Sequence, residues 1–198
     1  MPRSLPLASD LPLTMSLTQC SDEQLVYLAR SGTSDAFDEL VRRYGGQVLA
    51  LAQRLVGQAS AWDVAQEAFL AAYRGLGSFR GHSALGTWLY RITLRTAYGA
   101  ARRSRPPLAS QEPSPVQPPP EVAQGREMGR ALEQALGALA WPQRAVLVLR
   151  ATGGLSYSQI AQVLGCQVGT VRSRLFYARE QLRRQLALLG YSDDDLSF

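Results

Sequence analysis

Thr170, Arg172, Ser173, Arg174, Arg179 and Arg183 lie on a stretch of chain whose other positions are apolar at helical spacing. Side chains of these types can hydrogen-bond to DNA. An arginine near the start of such a helix matches the paired acceptors of guanine in the major groove, and later arginines match phosphates. A second basic set, Arg91, Arg95 and Arg102 with Tyr98 among them, follows Phe79, Arg80 and His82 in a preceding loop. Arginines that hold phosphate and rings that replace lost stacking suit a nucleic acid whose bases have left the duplex, at about 1–3 kcal/mol per stacked base. A third set, Asp63, Gln66, Glu67 and Leu70, forms a mixed stripe that taken alone is ordinary solvated surface. The chain has no Gly-rich phosphate loop and no metal-ligand cluster, and its one histidine, His82, has no nucleophile beside it. An enzyme is therefore the least favoured class, and no metal or cofactor is expected.

The elements that position these groups are helices. In residues 155–182, Ser156 and Gln159 have the spacing of a capping box, Ile160 and Leu164 give a short apolar stripe, and Gly165 ends that helix. Val171, Leu175, Ala178, Leu182, Leu186 and Leu189 then predict the buried face of a longer helix, which leaves the arginines pointing elsewhere. This is a helix-turn-helix with an arginine-bearing second helix. Nearer the N-terminus, Ser21 and Gln24 repeat the capping box and open a helix closed at Gly32. Ser34 caps a longer helix in which Gly45-Gly46 predicts a bend or a close contact. A third helix after Ser60 is expected to bury Trp62, Phe69, Tyr73 and Leu76, and a fourth to bury Leu85, Leu89, Ile92 and Thr96 before Pro106 stops it.

Residues 106–124 are too rich in proline for a helix or strand and predict an extended tether. Beyond it, a helix is expected around Glu127 to Leu139. Trp141-Pro142 then reads as a turn with Pro142 at a first helical position, and a helix through Val146, Leu147 and Leu149 runs to Arg150 before the Gly153-Gly154 break.

The bulk numbers fit this plan. With 198 residues, 46% of them hydrophobic, the chain can form one domain or two small ones. The net charge of +5, carried by arginine in the complete absence of lysine, favours an anionic partner. Cys20 and Cys166 are too far apart in sequence for a metal-ligand pair and read as reduced thiols of a cytoplasmic protein. No segment has the roughly 20 apolar residues of a membrane span. The expected fold is all-α: a disordered leader 1–20 (Met15 being an alternative start), a helical domain 21–105, the Pro-rich flexible linker 106–124, a second helical domain 125–190 and an acidic tail 191–198.

Two all-helical modules, a tether and a C-terminal helix-turn-helix resemble the bacterial sigma-70 family, and within it the minimal factors of the extracytoplasmic-function group. The stretch Ala61-Trp62-Asp63-Val64-Ala65-Gln66-Glu67-Ala68-Phe69, then Phe79-Arg80-Gly81 and Thr87-Trp88-Leu89-Tyr90-Arg91-Ile92, is similar to that family's region 2. Gly154 to Tyr157 and Val168 to Leu175 are similar to its region 4. The resemblance implies that Asp63, Gln66, Glu67 and Leu70 dock on core RNA polymerase. It implies that Phe79, Arg80, His82, Arg91, Arg95, Tyr98 and Arg102 capture the opened minus-ten element, and that Thr170, Arg172, Ser173, Arg174, Arg179 and Arg183 read the minus-thirty-five element. It further implies a monomer when free, bound to core RNA polymerase and promoter DNA in use, with no catalytic residues, and leaves open an anti-sigma factor as a partner. The rival reading is an autonomous helix-turn-helix regulator with an N-terminal sensing or dimerisation domain. The tether, about 60–70 Å when fully extended, predicts two loosely coupled modules in the free protein.

Overall fold

The computed structural model describes residues 16–103 and 120–192 and, in the helix that starts at Pro120, side chains from residue 127 onward. Helices α1 (Asp22–Arg30), α2 (Ser34–Val56), α3 (Gln58–Gly75) and α4 (Leu85–Arg103) form the N-terminal module. Helices α5 (Pro120–Ala138), α6 (Trp141–Gly153), α7 (Tyr157–Leu164) and α8 (Val168–Leu188) form the second. The described residues contain no strand, so the all-α expectation holds. Helix α5 starts inside the stretch expected to be extended tether, with Pro120 in its first turn, where the missing N–H of proline costs nothing. The rest of that tether, most of the leader and the end of the acidic tail lie outside the described residues.

Local signals set most of the helix ends. Ser21 caps α1 and Ser156 caps α7, each accepting from the backbone N–H three residues on, while Gln24 and Gln159 accept from the cap amides in return. Such caps are worth about 1 kcal/mol each. Gly165 closes α7 with φ +63°, a left-handed geometry that glycine adopts without a Cβ penalty. Helix α2 runs unbroken through Gly45-Gly46, and a Cβ at either position would meet nothing within 4 Å. The glycine pair therefore does not interrupt the helix, and the expected close contact is absent there.

Leu25, Val26, Leu40, Ala72, Leu76, Phe79, Leu85 and Leu89 form a core belonging to the N-terminal module alone. Part of the expected disordered leader is fastened to it. Cys20 is buried, and Arg43 donates to the carbonyls of Leu17, Thr18 and Cys20. Arg43 also bonds Glu39 at 2.8 Å and Asp22 at 3.0 Å.

A larger core ignores the module boundary. Leu51, Ala52, Leu55, Tyr90, Leu94 and Ala97 of α2 and α4 pack in one cluster with Leu136, Val146, Leu149, Ile160, Val171, Leu175 and Leu186 of the second module. This overturns the expectation of two loosely coupled modules. A linker sets the greatest distance between modules and not the least, and the apolar faces of α2 and α4 gain free energy by leaving water.

The boundary is also pinned by polar contacts. Arg54 donates to the Thr152 hydroxyl at 2.8 Å and Arg91 to the Gln162 carbonyl at 2.5 Å. Arg144 of α6 donates to the Leu55 carbonyl at 2.9 Å and to the carbonyls of Gly137 and Leu139. It thereby serves the carbonyl-rich ends of α2 and α5 together, where a cation also suits the helix dipoles. Burial lowers its pKa from the ordinary arginine value, and its Nε has no hydrogen-bond partner.

Candidate nucleic-acid and protein interfaces

Helix α3 is fixed by small side chains. Ala61, Val64, Ala65, Ala68 and Ala72 are its buried residues, at spacings of three and four that make one face. That column corrects the expectation that Trp62 and Tyr73 are buried: they are 69% and 54% exposed. A face packed closely through alanines has no room for an indole ring. Phe69 is half-buried and Leu76 is buried, as expected.

Asp63, Gln66, Glu67 and Leu70 are all exposed on the outer side of α3. Trp62 and Tyr73 widen this stripe into a surface that mixes carboxylates with large apolar groups. Glu67 lies 3.5 Å from Arg103 in an ion pair exposed on both sides, which contributes little stability. Tyr73 is braced edge-on against Phe37, with ring centroids 4.9 Å apart.

The second expected set divides. Phe79 is 7% exposed and packs against Trp88 with ring centroids 5.2 Å apart. Its ring is part of the N-terminal core, so in this arrangement it is not a stacking platform for a base. Arg80, His82, Arg91 and Arg95 are all exposed, and Arg91 also donates to the Gln162 carbonyl. Tyr98 sits on Trp141 of the second module at 5.3 Å, and Arg102 lies over the Tyr98 ring at 5.9 Å. Tyr90 is buried and donates to the Gln47 side chain at 2.6 Å; burial pushes its phenol pKa up. The α4 ridge is thus partly occupied by the second module.

On α8 the buried residues are Val171, Leu175, Ala178, Leu182 and Leu186, and Leu189 at the cap is 37% exposed. At 3.6 residues per turn, the expected reading residues fall on three sides of this helix. Ser173 is directed away from the core, and its hydroxyl donates to the Thr170 carbonyl at 3.1 Å. Arg172, Arg179 and Arg183 share one flank, and Arg174, half-buried, lies on the other. Thr170 is also half-buried.

Arg179 and Arg183 line a cavity of about 470 Å³ with Arg54 of α2 and Arg150 of α6. Sequence reasoning missed Arg54, Arg144 and Arg150. Their partners lie on other helices or across a turn, where no periodicity reports them. It also missed the contribution of Trp62 and Tyr73 to the α3 surface, for which the alanine column was the available signal.

Comparison with known proteins bears on both modules. The family described as sigma-70 region 2 matches residues 40–106, and that described as sigma-70 region 4 matches residues 129–182. The RNA polymerase sigma-H factor of Pseudomonas aeruginosa is 42% identical over 185 residues, which is 86% of this chain and 96% of that protein. The ECF RNA polymerase sigma-E factor of Escherichia coli is 38% identical over 178 residues, 83% of this chain and 93% of that protein. Among solved structures, CnrH in complex with the cytosolic domain of CnrY aligns with a TM-score of 0.67 at 30% identity, covering 84% of this chain and 97% of that one. The sigma factor RpoE of Bartonella quintana, solved with the anti-sigma factor NepR, shares the fold with a TM-score of 0.60 at 23% identity.

Proposed function

The chain belongs to the extracytoplasmic-function group of the sigma-70 family and is a sigma factor that directs transcription initiation by RNA polymerase, and from that premise we propose how its surfaces divide the task. The outer face of α3, with Asp63, Gln66, Glu67 and Leu70, docks on core polymerase, and Trp62 and Tyr73 belong to the same contact. The observation that carries this reading is an exposed apolar group set among carboxylates on a helix held by its own core, Leu70 being 48% exposed between Trp62 and Tyr73. Exposed aromatics within a polar rim are characteristic of partner-binding surfaces.

Residues 40–106 capture the minus-ten element through Arg80, His82, Arg91, Arg95, Tyr98 and Arg102. Phe79 supports that loop from beneath. Residues 129–182 read the minus-thirty-five element as duplex with Thr170, Arg172, Ser173 and Arg174, and Arg179 and Arg183 meet phosphates. Arg91 and Tyr98 are exposed but engaged by Gln162 and Trp141, so turning them wholly to DNA means giving up those contacts between modules, and we take the packed arrangement as the resting form of the free chain.

The protein acts by binding and makes or breaks no covalent bond itself. We infer an anti-sigma factor as a partner that holds the chain in reserve, by analogy with RpoE of Bartonella quintana, which shares this fold and was solved with the anti-sigma factor NepR. No helix among the described residues is long and apolar enough to cross a membrane, and we place the protein in the cytoplasm beside its polymerase.

The test is charge reversal. Glu67→Arg should weaken capture by purified core polymerase at least tenfold, or 1.4 kcal/mol, while helical content and melting temperature stay unchanged because Glu67 is exposed. Capture equal to that of the unmodified chain would return the α3 stripe to ordinary solvated surface.

A further inference from the structure

The cavity at the module boundary has a composition that the proposed function leaves unused. Its rim carries Arg54 from α2, Arg150 from α6, and Arg179 and Arg183 from α8, and its floor includes Leu136 and Leu182. No carboxylate lines it among the described residues. Arg54 and Arg150 donate to neutral oxygens, the Thr152 hydroxyl and the Leu155 carbonyl, and Arg183 is paired with Glu180 at 2.8 Å. Among the described residues, therefore, the lining of this apolar hollow carries four guanidiniums and no carboxylate. An occupant must bring several negative charges and an apolar group together.

The chain itself supplies such a segment: Asp193-Asp194-Asp195-Leu196-Ser197-Phe198 follows four residues after α8. The end of α8 folds the chain back on the helix's own last turn. Gly190, at φ +91°, donates to the Ala187 carbonyl and Tyr191 to the Leu186 carbonyl, which together make a Schellman turn. Tyr191 then packs against the shared core that contains Leu186, itself a wall of the cavity. Residues 193–198 extend to roughly 20 Å, and Arg179 is about 10 Å along the helix from Leu186. The segment is long enough to reach back along α8 as far as Arg179.

We propose that residues 193–198 dock in this cavity, with the three aspartates on the rim arginines and Leu196 or Phe198 on the leucine floor. Because the rim spans α2, α6 and α8, a docked tail clasps the two modules in the resting form. It also screens Arg179 and Arg183 from DNA, a consequence that rests on the phosphate-binding role proposed for them, whereas the docking itself does not.

The experiment places a photoreactive benzoylphenylalanine at position 198 of the full chain. Irradiation at low salt should join it to peptides of α5, α6 or α8 within the same molecule, with a yield independent of protein concentration. The yield should fall at least fivefold when Asp193, Asp194 and Asp195 are all replaced by Asn, and again in high salt. Absence of a crosslink to the cavity wall would overturn the proposal. So would crosslinks only between copies that rise with concentration, which would make the occupant a second chain's tail. In parallel, a chain ending at Ser192 should bind minus-thirty-five duplex about tenfold more tightly than the full chain at low salt. A proper crosslink with unchanged DNA affinity would overturn the assignment of Arg179 and Arg183 to DNA and leave the docking intact.

Discussion

Helices α3 and α4 each carry a polar row on the side away from the N-terminal module's own core, and the two rows meet opposite fates. The α4 row has Tyr90, Leu94 and Ala97 beside it, and these draw the second module down until Tyr98, still 44% exposed, rests on Trp141 and the exposed Arg91 donates to a carbonyl. The α3 row has apolar neighbours too, Trp62, Leu70 and Tyr73, yet all three remain exposed. A polar row is left open or engaged according to its apolar neighbours. Where they match a surface within the chain the row is engaged, and where they match none the row is offered to another molecule. Under the assignment proposed above, the α3 surface is fully open in the resting chain while part of the α4 surface is engaged by the second module.

The largest effect that bears on this contrast is expected from Leu149→Ala. Leu149 is fully buried in the shared core, and the change should remove about 2–5 kcal/mol of stability in urea unfolding. Hydrogen exchange should quicken in α4 as well as in α8. If it quickened in α5 to α8 alone, the modules would not share a core and the engaged state of α4 would lose its basis.

A smaller effect is expected from Arg144→Met, which keeps most of the stem and deletes the guanidinium that joins the ends of α2 and α5. The loss should be about 1.5–3 kcal/mol, the scale of hydrogen bonds to a charged group. It should appear as opening of the chain, read as a larger radius in small-angle scattering and faster exchange in α4, with exchange in the outer half of α3 unchanged. A variant as compact as the original would show that apolar packing alone holds α4.

The smallest effect at neutral pH belongs to Glu39, within the N-terminal module. Hydrogen bonds from Arg42 and then Arg43 hold its carboxyl down at about 2, against an ordinary value of 4.5. A depressed folded pKa means that the native state keeps its charge where the unfolded chain takes up a proton. The contribution is complete above 4.5, declines below it and is gone once pH has fallen through about 2. Glu39→Gln should therefore flatten the loss of melting temperature between those limits while leaving α4 exchange untouched. A steep acid limb that persisted in Glu39→Gln would assign it to another carboxylate.

Much of the fold was legible because its signals are local. Both capping boxes, the left-handed Gly165, Pro142 in the first turn of α6 and the buried face of α8 depend on residues within a turn or two of one another. The helix-turn-helix and the α3 stripe were legible for the same reason. The side on which Trp62 lies was not, because size suggests burial while the alanine column sets the direction of α3. The burial of Phe79 depends on Trp88, and the restraint of Arg91 depends on a carbonyl of Gln162 in the other module. Such pairings have no periodic trace, and the proline-rich tether pointed away from them.

The alanine column of α3 has a consequence for the speed of assembly. Alanine has no side-chain rotamers to lose, so the helix is set against its neighbours by contacts that have no alternative arrangement. The outer face is thereby held in one orientation before any partner arrives. Association need not order that backbone, so the entropic cost of binding falls mainly on the ends of Glu67, Gln66 and their neighbours. Encounter with a complementary groove should succeed in a large share of correctly oriented collisions, placing the association rate near the upper part of the usual range of about 10⁵–10⁷ M⁻¹s⁻¹.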